Sequence, residues 1–130
     1  MGQRRVIFDL PADRRSAGTA RRIVAVTLDA WALPGLRADA QLVVSEMVSN
    51  ALMHAPGAAS HELQIVRRPT GIRLVVADGS SRPPALRPTD DRRPGGRGLR
   101  IIEALAAAWG CELRADGKQV WADLDEPDRG

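Results

Sequence analysis

Two hairpin signatures limit the architectures open to this chain of 130 residues. His61 to Arg68 and Ile72 to Ala77 are extended runs joined by Pro69-Thr70-Gly71. Cys111 to Ala115 and Gln119 to Leu124 meet across Asp116-Gly117. Short links of turn-forming residues join antiparallel neighbours, so most of the sheet is antiparallel. A fifth extended stretch, Gln3 to Leu10, alternates Val6, Phe8 and Leu10 with Arg5, Ile7 and Asp9, and Pro11 closes it.

Helical periodicity fills the spaces between these strands. From Arg14 to Leu33 the residues Ala20, Ile23, Val24, Thr27, Leu28 and Trp31 recur at steps of three and four, and Pro34-Gly35 ends the run. A second helix spans Ala38 to Ala55 and stops at Pro56-Gly57. A third, Gly98 to Trp109, runs through Leu99, Ile102, Leu105 and Ala106 and ends on Gly110. The order β-α-α-β-β-α-β-β predicts an α+β fold: a two-layer α/β sandwich, its mixed sheet mostly antiparallel, with helices on one face. At this length it reads as one domain over 1–130 with one core.

One segment cannot contribute to that core. Residues 79–97 hold Pro83, Pro84, Pro88, Pro94 and Asp90-Asp91-Arg92-Arg93, with almost no apolar side chains. Long loops of this kind serve as functional lids or stay disordered, and its position after an aspartate favours a lid. The polar tail, 125–130, reads as frayed.

Composition removes several function classes. The formal charge is +3, but Lys118 is the only lysine and the arginines are scattered, largely in pairs. Phe8, Trp31, Trp109 and Trp121 all lie outside the basic runs, so the stripe of cations and stacking rings expected of a nucleic-acid binder is missing. Cys111 is the sole cysteine, and His54 and His61 have no ligand cluster at zinc spacing. Without a leader or a long apolar run, the chain reads as cytoplasmic, with no membrane partner.

Three sites could carry chemistry. Glu46, Asn50 and His54 are four residues apart and drift by roughly 40° per step, so they form one stripe beside the apolar arc of their helix. A carboxylate and a carboxamide one turn apart suit a hydrated Mg²⁺, and the carboxylate can accept a proton. Spacing alone also allows both to edge a solvent face. Asp78 ends the apolar strand Leu74-Val75-Val76-Ala77 and precedes Gly79. There it can accept from an exocyclic amine, or it can be an ordinary turn aspartate. Gly96-Arg97-Gly98-Leu99 opens a helix, where free backbone N–H groups and the helix dipole favour phosphate. Arg92, Arg93 and Arg97 either clamp phosphate or belong to a solvated loop.

Read in order, these segments resemble the histidine-kinase-like (GHKL) ATPase superfamily, and within it the bacterial anti-sigma-factor serine kinases. The run Glu46-Met47-Val48-Ser49-Asn50-Ala51-Leu52-Met53-His54-Ala55 looks like that family's N box. Val76-Ala77-Asp78-Gly79, Gly96-Arg97-Gly98-Leu99 and Gly117-Lys118-Gln119-Val120-Trp121 follow in the family's order. The resemblance implies a Bergerat-type ATP-binding fold, with ATP and Mg²⁺ as cofactors. Asn50 would coordinate Mg²⁺, and Glu46 would act as general base toward a substrate serine. Asp78 would bind the adenine amine with Gly79 beside the base, Gly96 and Gly98 would contact phosphate, and Arg97, Leu99 and His54 would border the nucleotide.

Partners implied by the resemblance are a STAS-type anti-anti-sigma factor as phosphoryl acceptor, a sigma factor, and a second copy in a homodimer. A non-catalytic nucleotide-binding regulator is the alternative. The sequence departs from the family's pattern at Ser80-Ser81, in place of a second glycine, and at Gln119, which stands where many relatives have a threonine that helps seat adenine.

Overall fold

The computed structural model describes residues 4–54, 60–78, 96–114 and 117–127. Five strands form one sheet in the order β1-β2-β3-β5-β4: β1 Arg5–Pro11, β2 Ser60–Arg68, β3 Gly71–Asp78, β4 Ala108–Arg114 and β5 Gly117–Asp125. Every pairing among the described strands is antiparallel, so no parallel pair supports the mixed sheet expected from sequence. The β2–β3 hairpin closes through Pro69 and Thr70, with Arg68 opposite Gly71. The two hairpins dock through β3 and β5.

Three α-helices cover one face: α1 Ser16–Ala30, α2 Arg37–His54 and α3 Gly96–Leu105. A short 3-10 turn, Pro34–Leu36, leads into α2. Strand alternation sorts the side chains by face. Leu63 and Ile65 of β2, Ile72, Leu74 and Val76 of β3, and Val120, Ala122 and Leu124 of β5 all point to the helices. They meet Val24 and Leu28 of α1, Val43, Val44, Met47, Val48 and Ala51 of α2, and Leu99 and Ile102 of α3 in one core. Each Val, Leu, Ile or Met side chain among them, fully buried, stabilises the fold by about 1.5–3 kcal/mol relative to exposure. Helix α2 is central, since it packs on α1, α3, β3 and β5. No helix among the described residues is long and apolar enough to cross a membrane.

Several boundaries differ from the sequence expectation. Helix α1 ends before Pro34, because Ala32 takes φ 58° and the N–H groups of Leu33 and Ala32 bond back to the carbonyls of Leu28 and Asp29. That is a left-handed C-terminal cap, usually a glycine position. Helix α3 ends at Leu105 rather than Trp109, and Trp109 and Gly110 belong to β4. Gly110 is therefore not a helix terminator. It lies opposite Trp121, and a Cβ there would come within 2.8 Å of the indole ring. The tail is ordered at its start: Asp125 belongs to β5, and the Glu126 N–H donates to the Thr70 carbonyl at 2.7 Å. Of the lid expected over residues 79–97, residues 79–95 lie outside the described residues, and Gly96 and Arg97 belong instead, with Gly98, to the first turn of α3.

Candidate functional site

The register places one polar row on the otherwise apolar, helix-covered face of the sheet. Leu10 of β1 pairs with His61 of β2, Asp78 of β3 pairs with Lys118 of β5, and Leu113 of β4 pairs with Lys118. The β2–β3 register, continued by one residue past Glu62 and Ala77, sets His61 opposite Asp78. His61, Asp78 and Lys118 are 1%, 7% and 3% exposed. Three buried polar side chains thus stand in line at one end of the sheet, where β3 finishes and β2 and β5 begin.

Each member of the row is shaped by burial. The Lys118 Nζ lies 3.8 Å from the Asp78 Oδ2, wider than the ~2.7–2.9 Å of a direct charged hydrogen bond. Burial pushes the Lys118 ammonium below the ordinary lysine range, with the charge of Asp78 opposing. Burial also pushes the His61 imidazole down, again opposed by Asp78. A neutral imidazole carries one N–H donor and one acceptor lone pair. Neither ring nitrogen of His61 has a hydrogen-bond partner, an omission that costs roughly 1–3 kcal/mol for a buried group. Cys111, beside Lys118, is held in the thiol form because burial raises its pKa.

On α2, Asn50 is 7% exposed and Glu46 half-buried. Burial removes the solvent-facing explanation for Asn50, and Glu46 one turn earlier keeps contact with water. Five residues, 55–59, link the end of α2 to Ser60 at the start of β2, which is the end of the sheet that carries the polar row. His54 completes the stripe in the last turn of the helix, and its side chain lies outside the described residues, as do those of Gly96, Arg97 and Gly98. Gly79 lies outside them entirely. Leu99 is buried in the core and anchors the start of α3. The C-terminus of α3 lies at the opposite end of the sheet, because Leu105 is followed so closely by Ala108, the partner of Asp123. The ten residues of α3 span about 15 Å from there.

One sequence assignment is corrected. Gln119 does not face this row. It shares the other face of β5 with Trp121 and Asp123, and lines a cavity of about 600 Å³ with Gln64, Arg73 and Glu112. That cavity is on the far side of the sheet from Asp78. There the Arg73 guanidinium sits 4.3 Å from the Trp121 ring centroid and donates to both Asp123 carboxylate oxygens at 2.6 and 2.9 Å. The residue that faces Asp78 is Lys118, which sequence reasoning passed over. Its signal was present: Lys118 is in phase with Val120, Ala122 and Leu124, and a charged residue in an apolar phase is a buried one.

The fold is a two-layer α+β sandwich with a buried carboxylate at a strand end and a buried carboxamide on the central helix. Residues 10–124 match the family model described as the histidine kinase-like ATPase domain, and the chain belongs to that family. It is by class an ATP-binding domain. Among solved structures the chain is similar to that of the RsbU and RsbW domains of Rv1364c from Mycobacterium tuberculosis, with 20% identity and a TM-score of 0.68. The match covers 97% of this chain and 34% of that one, so the chain spans about a third of that protein's solved length. At such identity the likeness shows the fold. No curated protein matches the chain.

Proposed function

We propose that the chain is an ATP-dependent serine kinase of the anti-sigma-factor type, which phosphorylates a STAS-fold anti-anti-sigma factor and holds a sigma factor in the alternate state. The observation that carries the reading is the buried carboxylate of Asp78 in a polar row at the sheet end to which the Asn50 end of α2 leads. The orphaned nitrogens of His61 in that row fit a pocket that takes a polar ligand.

When bound, ATP supplies the phosphoryl group and Mg²⁺ the charge neutralisation that phosphoryl transfer requires. In this reading Asp78 accepts a hydrogen bond from the adenine amine, with Gly79 allowing close approach of the base. Asn50 holds Mg²⁺ through its carboxamide oxygen. Backbone N–H groups of Gly96 and Gly98, in the first turn of α3, hold phosphate, with Arg97 adding positive charge, while Leu99 fixes that turn to the core and His54 borders the nucleotide. Glu46, half-buried, accepts the proton of the incoming serine hydroxyl. The resemblance adds a homodimer as the working form.

Purified protein with Mg·ATP and a panel of STAS-fold proteins tests this. Phosphoserine is expected on one of them, with Glu46→Gln slowing transfer by about 10²–10⁴-fold while nucleotide binding persists. Nucleotide binding with no transfer to any member would instead establish the second reading, a non-catalytic regulator.

A further inference from the structure

We propose that the helix-free face of the sheet is the contact between two copies of this chain, which meet face to face about a two-fold axis running across the strands. This deepens the proposed function: it rests on the homodimer named there and not on catalysis. The strand register sorts the side chains of that face into bands. Arg5, Val66, Arg73 and Asp123 are successive partners across β1, β2, β3 and β5. Two residues along, the next band is Ile7, Gln64, Val75, Trp121 and Gly110. Two residues further it is Asp9, Glu62, Ala77, Gln119 and Glu112. The first end of the face also holds Arg68, paired with Asp125, while Arg73 is paired with Asp123. Arg5 is thus the excess cation of that end among the described residues. The opposite band carries three carboxylates and no cation, and the band between is uncharged.

Such a face is complementary to itself. An axis along the middle band turns a second copy over and exchanges its ends. Each Arg5, exposed, then stands over the exposed Asp9 of the second copy, and each Glu62 falls between Arg5 and Arg73 of the second copy. Opposite charges arranged this way fix the orientation of an interface. An axis along the strands would instead set Arg73 against Arg73 and Asp9 against Glu112, so the charges select the first. The middle band meets itself, and there Ile7, 53% exposed, and the half-buried Trp121 supply apolar contact. Aromatic residues and arginine are the types enriched where proteins meet. Five strands form the sheet; at about 4.8 Å apart and about seven residues long they make a face of roughly 24 by 23 Å. Two such faces bury about 1,100 Å², the size at which a contact becomes a specific interface.

Sedimentation equilibrium of the purified chain over the micromolar range tests this, and the wild type should fit a monomer–dimer equilibrium. Arg5→Glu and Asp9→Arg each bring like charges together at both ends of the two-fold contact. Each alone should weaken self-association by about ten-fold or more. An equimolar mixture of the two variants should dimerise as well as the wild type, because each supplies the charge that the other lacks. That recovery also shows both variants to be folded. A wild type that stays monomeric overturns the proposal and leaves the face to a different partner. Self-association that neither variant weakens, or that mixing does not restore, overturns it as well. Calorimetry with ATP on the same samples separates this interface from the kinase reading. A monomer that binds ATP overturns the interface and leaves the nucleotide site standing. A dimer whose variants fail alone and recover together supports the interface even where no STAS-fold protein is phosphorylated.

Discussion

At the scale of single residues, the polar row makes stability depend on pH through His61. Its folded pKa lies below the ordinary 6.5, because burial disfavours the imidazolium. Below about pH 6.5 the unfolded chain therefore binds the proton more readily than the folded one, and stability falls as the pH falls. Lys118 acts with the same sign in the alkaline range, because its folded pKa is also lowered and its ordinary value is 10.5. Urea denaturation between pH 5 and 7.5 should show a midpoint that declines on acidification. His61→Leu should flatten that decline and lose nothing at pH 7.5, since it removes a buried group whose nitrogens have no partners. A midpoint equally acid-sensitive in the variant would clear His61 of responsibility.

At the scale of elements, most boundaries follow local chemistry, and the exceptions are instructive. The C-terminal cap of α1 uses an alanine at φ 58°, a conformation that costs an L-residue roughly 1–2 kcal/mol. Glycine avoids that strain and loses part of the gain through chain entropy. Ala32→Gly should raise stability by about 0.5–1 kcal/mol, read from the thermal midpoint. At the other end of the chain, the apolar steps from Leu99 to Leu105 could continue helically to Trp109. Pairing with β5 wins instead: Trp109 takes a place opposite Ala122, and Gly110 opposite Trp121 accommodates the indole. A long-range ladder overrode a local period.

At the scale of the whole molecule, the decisive contact is β3 against β5, which joins two hairpins far apart in sequence. Gly71 lies at this seam, opposite Asp125, and a Cβ there would fall 1.9 Å from the carbonyl oxygen of Leu124. Because that neighbour is backbone, the strand must shift as a unit. Gly71→Ala should destabilise by about 1–3 kcal/mol or more, measured by urea denaturation. Gly110→Ala should cost less, since the half-exposed Trp121 ring can move. The same seam brings Asp78 and Lys118 together. The strands, the helices, the two-layer plan and the candidates Glu46, Asn50 and Asp78 were legible in the sequence, because apolar periodicity, turn residues and strand ends are local properties. Which face each residue of β5 presents was not. A strand's side chains alternate with a period of two, so an error of one residue in phase exchanges Lys118 for Gln119, and only pairing with β3 sets that phase. Periodicity along the chain determined the elements; hydrogen bonding between strands distant in sequence decided which side chain of β5 is buried against Asp78.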